Sequence, residues 1–426
     1  MPELSLLDDS YEKCLKCNAC VAECPVSEHT LAFGGPKHLG PELRRFVSSR
    51  AGIDDARVDY CTLCGNCELS CPENVHVASL MAYAKMIHTE KKGTPFRDFV
   101  LSNAELVGKL ASTFAPITNA TMKIKPVRLI MQQAMHIAAD RQFPAYRFKT
   151  LNRTFSRSGA ARGASHPAES NQSMRKVAYF AGCYATYNAP EVGESFLKVM
   201  RFNGIEVIKP TQKCCGVPMM ANGRMKQARK NAEFNTRQLL AYVRRGYDVV
   251  ATCTSCSLAL KKEYLSLVGG ADAKQLAEHV YDAGEYVRML KETGELNEQL
   301  ASVEETAGYH TPCHLRAQSI GSPALDILEL IPGYQIQDLG SGCCGQCGTF
   351  GFKKEKYSIS MQLGKEMADA VSELDASVTV TECGMCKNQL DQLTDKPVRH
   401  PMQILAASYE KAAAGKRRLT ASVARS

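Results

Sequence analysis

The sequence predicts an α+β protein of several domains, a small helical cysteine-rich domain followed by a duplicated pair of α/β units. Three observations predict it. Eight of the 19 cysteines in this 426-residue chain crowd between Cys14 and Cys71, and none follows until Cys183. Beyond that gap, Cys183, Cys214, Cys215, Cys253 and Cys256 recur as Cys313, Cys343, Cys344, Cys383 and Cys386, at offsets of 130, 129, 129, 130 and 130 residues. A five-point match with one residue of slippage is internal duplication. Each repeat also alternates short apolar runs with longer helical stretches, which predicts parallel sheets.

Residues 1–95 form the first predicted domain. Pro41 to Val58 and Val75 to Lys92 have helical composition. Two cysteine runs, Cys14-x-x-Cys17-x-x-Cys20-x-x-x-Cys24-Pro25 and Cys61-x-x-Cys64-x-x-Cys67-x-x-x-Cys71-Pro72, begin 47 residues apart. Two-residue gaps let three thiolates wrap one cube from a single loop, while the fourth, set off by three residues and a proline, reaches the other cube. A helical dicluster ferredoxin domain is the expectation, with one cubane [4Fe–4S] cluster on Cys14, Cys17, Cys20 and Cys71 and a second on Cys61, Cys64, Cys67 and Cys24. The competing reading is a pair of structural zinc sites, which needs only four ligands each and no proline.

Residues 96–172 are expected to be a basic helical connector. Between Leu106 and Ala168 there are ten Lys or Arg and one acid, Asp140, against a whole-chain net charge of +8. The tail from Tyr409 adds Lys411, Lys416, Arg417, Arg418 and Arg425 against Glu410. The rest of the chain is mildly acidic, an ordinary soluble surface. Val127, Ile130, Met131, Ala134, Met135 and Ala138 follow helical spacing behind Pro126, and Leu106, Val107, Leu110, Ala111 and Phe114 make a similar stripe. Basic amphipathic helices of this kind lie in an anionic membrane interface or against a partner. The alternative is that the stripes pack on this chain's own domains. Nucleic acid is excluded as a partner, because no reading motif accompanies the basic residues.

Residues 173–295 and 296–426 are the two α/β units. In the first, Val177–Ala181, Glu206–Lys209 and Asp248–Thr252 read as strands leading to Cys183, Cys214 and Cys253, with helices over Met225–Arg244 and Ser257–Leu267. Tyr334–Asp338 and Val378–Thr381 are their echoes before Cys343 and Cys383. Ligands of such sheets gather at the carboxyl ends of the strands, where all ten cysteines fall. Five thiolates exceed one tetrahedral zinc, and adjacent cysteines do not share one corner of a regular cube, so an irregular cluster with bridging thiolates is expected. Gly216 and Gly345, each after a Cys-Cys pair, permit a tight turn beside sulfide, and a following helix offers its N–H dipoles. Buried free cysteines with a zinc are the plainer alternative.

Other residues are read more conservatively. Cys347, three residues after Cys344 and near enough to reach a cluster there, is expected to be a small buried hydrophobe, against the alternative of a spare ligand or redox thiol. His310 and His314 flank Cys313 as candidates to hydrogen-bond cluster sulfur or carry protons, against a purely structural role. Gly340-x-Gly342-x-x-Gly345 has dinucleotide-binding spacing, but Cys343 and Cys344 occupy the turn that must approach a pyrophosphate. An odd cysteine count and the absence of a secretory signal or an apolar run of about 18 residues predict a cytoplasmic protein that does not span a membrane.

The chain resembles the iron–sulfur C subunits of anaerobic glycerol-3-phosphate dehydrogenases over nearly its whole length. The resemblance rests on the twin cysteine runs, Ser112-Thr-Phe-Ala-Pro-Ile117, Lys125-Pro-Val-Arg128, Lys213-Cys-Cys-Gly-Val-Pro218, Tyr309-His-Thr-Pro-Cys-His314 and Gly348-Thr-Phe-Gly-Phe-Lys353. Its Cys-Cys-Gly units are similar to those of the heterodisulfide reductase catalytic subunit. The resemblance implies one or two non-cubane [4Fe–4S] clusters beside the two cubanes. It also implies flavin-containing glycerol-3-phosphate dehydrogenase subunits as electron donors, menaquinone as acceptor, and a peripheral position on the inner face of the cell membrane. A disulfide reductase, or the iron–sulfur subunit of a glycolate or lactate oxidase, is the rival reading.

Overall fold

The computed structural model describes residues 9–46, 54–158 and 175–423. Arg162 and Arg425 of the basic segments, and the predicted boundary at 172, lie outside them. The first domain is a set of short helical turns around one long helix, Val77–Lys92. Of the helical composition over Pro41–Val58, residues 47–53 lie outside the described residues, and the described parts are short turns. His38–Glu42 is a π-turn holding Pro41, Leu43–Phe46 continues it as α-helix to the last described residue before 47, and Asp55 caps a 3-10 turn, Ala56–Tyr60, by accepting from the Arg57 N–H. A proline inside the pattern and a capping aspartate before Ala56 are ordinary helix-breaking signals.

Each later unit is a four-stranded parallel sheet. Unit one orders β2-β1-β3-β4 from Lys176–Phe180 (β1), Glu206–Ile208 (β2), Tyr247–Ala251 (β3) and Val280–Asp282 (β4). Unit two orders β6-β5-β7-β8 from Glu305–Tyr309 (β5), Tyr334–Asp338 (β6), Val378–Val380 (β7) and Val398–Arg399 (β8). The central strands are buried nearly throughout, as a sheet covered on both faces requires. Registers correspond, with Lys176 opposite Glu206 in one unit and Glu305 opposite Tyr334 in the other.

The two units share one core. Val177, Tyr179, Phe196 and Val250 of the first pack in the same apolar cluster as Tyr309, Val380, Met402 and Tyr409 of the second. Helix Pro190–Phe202 lies against the C-terminal helix Pro401–Val423, and the Phe202 and Tyr409 rings stack at 5.1 Å. Tyrosines at equivalent positions brace the ends of β3 and β7. Tyr179 Oη lies 2.8 Å from Thr252 Oγ1, and Tyr309 donates at 2.8 Å to Glu382, whose carboxyl burial pushes up to about 8.

The connector runs as helices Phe96–Ser102, Ala104–Thr113, Ala115–Thr121 and Lys125–Met135 across the outside of both units. Helix Ala104–Thr113 faces inward with its small residues Gly108 and Ser112, not with its leucines. A Cβ at Gly108 would come within 2.4 Å of the Tyr187 ring. On Lys125–Met135 the inward residue is Arg128, whose guanidinium donates to the carbonyls of Ala138 and Ala139 at 2.8 and 3.1 Å. Arg141, 1% exposed, ties the connector to Gly351 and Ser360 of unit two at 2.8 and 2.7 Å. The Leu106–Phe114 stripe therefore points outward, whereas in the second stripe Ile130 is exposed, Val127, Met131 and Met135 are half-buried and Ala138 is buried. Among the described residues, ten of the fifteen large apolar side chains left exposed lie between Phe96 and Phe148.

Candidate metal centres

The two cysteine loops of the first domain share a backbone device. Lys16 and Asn18 in one, and Leu63 and Gly65 in the other, all adopt positive φ, between +56° and +86°. Left-handed residues on both sides of Cys17 and of Cys64 curl each loop around a centre, so that alternate sulfurs converge. Cys14, Cys17, Cys20 and Cys71 line one cavity. Cys61, Cys64 and Cys67 gather with Cys24 on the other side of the domain, close enough that each of the three feels its neighbours' charge. Burial pushes the Cys20 and Cys61 thiols up to about 11 and Cys64 to about 12, the sulfurs around Cys20 and Cys64 adding to the shift. Such groups are unsuited to free thiolate and suited to thiolate neutralised by iron, and no disulfide joins them among the described residues.

In unit one the five sulfurs form a continuous series, Cys183 to Cys214, Cys214 to Cys215, Cys215 to Cys256 and Cys256 to Cys253, each pair within hydrogen-bonding reach. Unit two repeats it as Cys313, Cys343, Cys344, Cys386 and Cys383, with Cys386 Sγ 3.2 Å from Cys344 Sγ. The glycines after the paired cysteines have the expected left-handed backbone, Gly216 at φ +99° and Gly345 at +77°. Any Cβ at Gly345 would collide with the Ser360 carbonyl at 2.2 Å. The expected following helix exists in unit one, Val217–Ala221, but unit two has only a turn and then the 3-10 segment Phe350–Phe352. Cys347 takes that space. It too has positive φ, +44°, and its sulfur lies 3.2 Å from Cys343 Sγ. It is a sixth member of the unit-two thiol group, not merely an apolar filler, and its position three residues after Cys344 was the available signal.

The histidines separate. His310 is buried, its Nδ1 is 2.9 Å from Ser341 Oγ, and its Nε2 has no hydrogen-bond partner and faces Cys344 and Cys386. Burial pushes its pKa down to about 4, so the ring is neutral. In the tautomer whose Nδ1 accepts from Ser341 Oγ, the Nε2–H points at the sulfurs. His314 is a strut, with Nδ1 2.7 Å from Ser255 Oγ of unit one and Nε2 3.3 Å from the Leu63 carbonyl of the first domain.

The thiol groups are neighbours. Cys64 of the first domain sits close enough to Cys343 and Cys313 for their charges to interact. Gly65 has Ala317 of unit two so near that a Cβ would meet it at 2.9 Å. The Tyr184 ring packs on Gly384 between Cys253 and Cys383, spanning the two units.

Sequence reasoning missed a charged cage beside Cys61. Lys85, Lys353 and Lys356, with side chains 2–4% exposed, converge on Asp59. Lys356 donates to the Asp59 carbonyl at 2.6 Å, Lys85 to the same carbonyl at 3.3 Å and to the Ala221 carbonyl at 3.1 Å, and Lys353 to Asp98 at 3.2 Å. Burial pushes the Asp59 carboxyl up, but the three ammoniums outweigh it and hold it well below its usual range. Of these residues only Lys353 falls within a recognisable motif, Gly348–Lys353, and Asp59 and Lys85 lie hundreds of residues from it.

A helical domain with two cubane-type cysteine loops, joined to a duplicated cysteine-rich α/β domain, defines an iron–sulfur electron-transfer protein that holds [4Fe–4S] clusters. The family model of the 4Fe-4S dicluster domain matches residues 10–75, and that of the cysteine-rich (CCG) domain matches 177–261 and 307–391. The chain belongs to the family of anaerobic glycerol-3-phosphate dehydrogenase C subunits. It is 35% identical to the C subunit of the Escherichia coli (strain K12) enzyme over 94% of this chain and 98% of that protein. It is also similar to a fumarate reductase (CoM/CoB) subunit from Methanothermobacter marburgensis, at 26% identity over 93% of this chain and 72% of that protein. Lactate utilization protein A of Halalkalibacterium halodurans matches at 31% over 50% of this chain and 87% of its own.

Proposed function

We propose that this chain carries electrons from a flavin-containing glycerol-3-phosphate dehydrogenase partner to menaquinone at the inner face of the cell membrane. The observation that supports this reading best is the contiguity of the four thiol groups, from the first domain through Cys64 to unit two and past Tyr184 to unit one. Cys14, Cys17, Cys20 and Cys71 would hold one cubane [4Fe–4S] cluster, and Cys24, Cys61, Cys64 and Cys67 the other. The five thiols of each later unit suit a non-cubane [4Fe–4S] cluster, giving one or two. Bound clusters supply reversible one-electron chemistry. The residues contribute burial, backbone N–H groups aimed at sulfur from Leu63, Val75 and Gly345 at 3.3–3.4 Å, and the His310 ring as a further donor to sulfur. Iron and acid-labile sulfide in anaerobically purified protein are expected at about twelve to sixteen atoms of each per chain, with EPR signals of more than one cluster type. Four irons or fewer, or zinc in their place, would overturn the assignment.

The outward stripe of the Ala104–Thr113 helix supports the membrane position. Leu106, Leu110, Phe114 and Ile117 are more than half exposed, and the basic residues Lys123, Lys125, Arg147 and Lys149 lie exposed on the same connector. No helix among the described residues is long and apolar enough to cross a bilayer, so contact would be lateral. Replacing Leu106 and Leu110 together by Glu is expected to weaken binding to phosphatidylglycerol-containing vesicles at least roughly tenfold, since each leucine brings about 1.5–3 kcal/mol on burial. Iron content should stay unchanged. Undiminished sedimentation of the double variant with vesicles would remove the membrane from this reading.

A further inference from the structure

Resting on the electron-transfer reading above, we propose that the cleft beside Cys183 and Cys214 is the site at which a naphthoquinone headgroup receives electrons. The duplication sets this cleft apart from its counterpart. Cys313 and Cys343, the unit-two counterparts of Cys183 and Cys214, lie on the edge covered by the first domain, where Cys64 approaches and His314 meets the Leu63 carbonyl. That edge is occupied by a donor of electrons. Tyr184, between Cys253 and Cys383, joins the two units at their middle. The corresponding edge of unit one is not covered by the first domain; the connector helix with Glu105 and Lys109 forms one wall of it, and it opens into a cleft of about 270 Å³, close to the lower end of the size range of small-molecule sites. Input at one copy's edge and output at the other's follows from the placement.

The lining suits a quinone. Gln212 faces the cleft with both side-chain polar atoms shielded from solvent and without a hydrogen-bond partner among the described residues. An unpartnered buried amide costs free energy unless a ligand satisfies it, and a quinone carbonyl oxygen accepts from its N–H. Lys209 and Lys109 add positive charge where the reduced oxygens gain electron density. Glu105 fixes the wall by accepting the Cys214 N–H at 3.0 Å and pairing with Lys109 at 2.7 Å. The helix that carries Glu105 and Lys109 presents Leu106 and Leu110 on its next, exposed face, so an isoprenoid tail leaving the cleft meets apolar surface directly. In the step itself, a naphthoquinone takes two electrons, delivered singly from glycerol 3-phosphate oxidation by way of the thiol-held clusters. It also takes two protons from water at the open mouth, and both carbonyl oxygens become hydroxyls.

The test uses the whole complex with its flavoprotein partner, menadione as the quinone and an azido-naphthoquinone as photolabel. Label is expected on peptides spanning 104–112 and 209–214, and excess menadione should displace it. The Gln212→Leu complex should bind label weakly and show a KM for menadione about tenfold higher, with iron content and EPR spectrum at wild-type level. If Gln212→Leu fails to load clusters, Lys109→Ala, altered on the exposed rim, carries the same expectation for label and KM. Label elsewhere on the chain, while wild type still reduces menadione, would overturn the site and leave the electron-transfer reading intact. A wild-type complex that oxidises glycerol 3-phosphate with dye but never reduces menadione would instead sink that reading itself.

Discussion

Cys344→Ala is expected to cut quinone-linked turnover of the assembled complex by roughly a hundredfold or more, while dye reduction by the flavin partner continues. The residue occupies the centre of the unit-two series, hydrogen-bonded with Cys343 on one side and 3.2 Å from Cys386 Sγ on the other. Removing it breaks the series in the middle, whereas removing Cys383 would trim one end. The iron content should fall by about four atoms per chain, and the EPR features of the first domain should persist because its eight cysteines are untouched. Equal loss of quinone-linked and dye-linked activity would count against this division of labour between the thiol-held centres and the flavin partner, and undiminished quinone-linked turnover would show that unit two does not stand between donor and acceptor.

The second large effect belongs to stability. Asp59→Ala leaves Lys85, Lys353 and Lys356 facing one another with Asp98 as the remaining nearby carboxylate. Breaking a buried charge set by removing one partner costs about 3 kcal/mol or more, most of it the uncompensated charge left behind. Denaturant midpoints should drop accordingly, with the first domain separating from unit two, because Asp59 and Lys85 belong to one and Lys353 and Lys356 to the other. Lys356→Met introduced into the Asp59→Ala chain should recover part of the loss, since it removes one of the repelling ammoniums. An additive double variant would show that the cage is decorative.

How much of this was legible follows from how local each signal is. The cysteine spacings set the loops around Cys14–Cys24 and Cys61–Cys71 and both paired-cysteine turns, because each arises within about a dozen residues. The 130-residue offset implied two like units, and β1, β2, β3, β6 and β7 were readable as apolar or β-favouring runs. Strands β4 and β8 were not, being edge strands of three and two residues with no room for a pattern. Strand β5, Glu305-Thr-Ala-Gly-Tyr309, hides behind a glycine that packs against Leu339 and Leu374. The lysine cage joins residues nearly 300 apart, and nothing near Lys85 announces a partner. The connector illustrates a different limit. Periodicity located its apolar stripes, but periodicity cannot say which side of a helix meets the protein. Gly108 and Ser112, on the other side of the helix from the leucines, held that information, since only small residues allow a helix to approach Tyr187 so closely.

The common interior of the two units bears on how their centres can be told apart. Cutting the chain near residue 295 would divide the apolar cluster that Tyr179, Phe196 and Val250 share with unit two, so neither fragment is a fair sample of its parent. Spectra belonging to each half must be sorted within intact molecules, by silencing one sulfur at a time, and the parallel series of five sulfurs in the copies makes isotope- or selenium-labelled substitutions at Cys347, which has no twin in the earlier copy, a natural first handle.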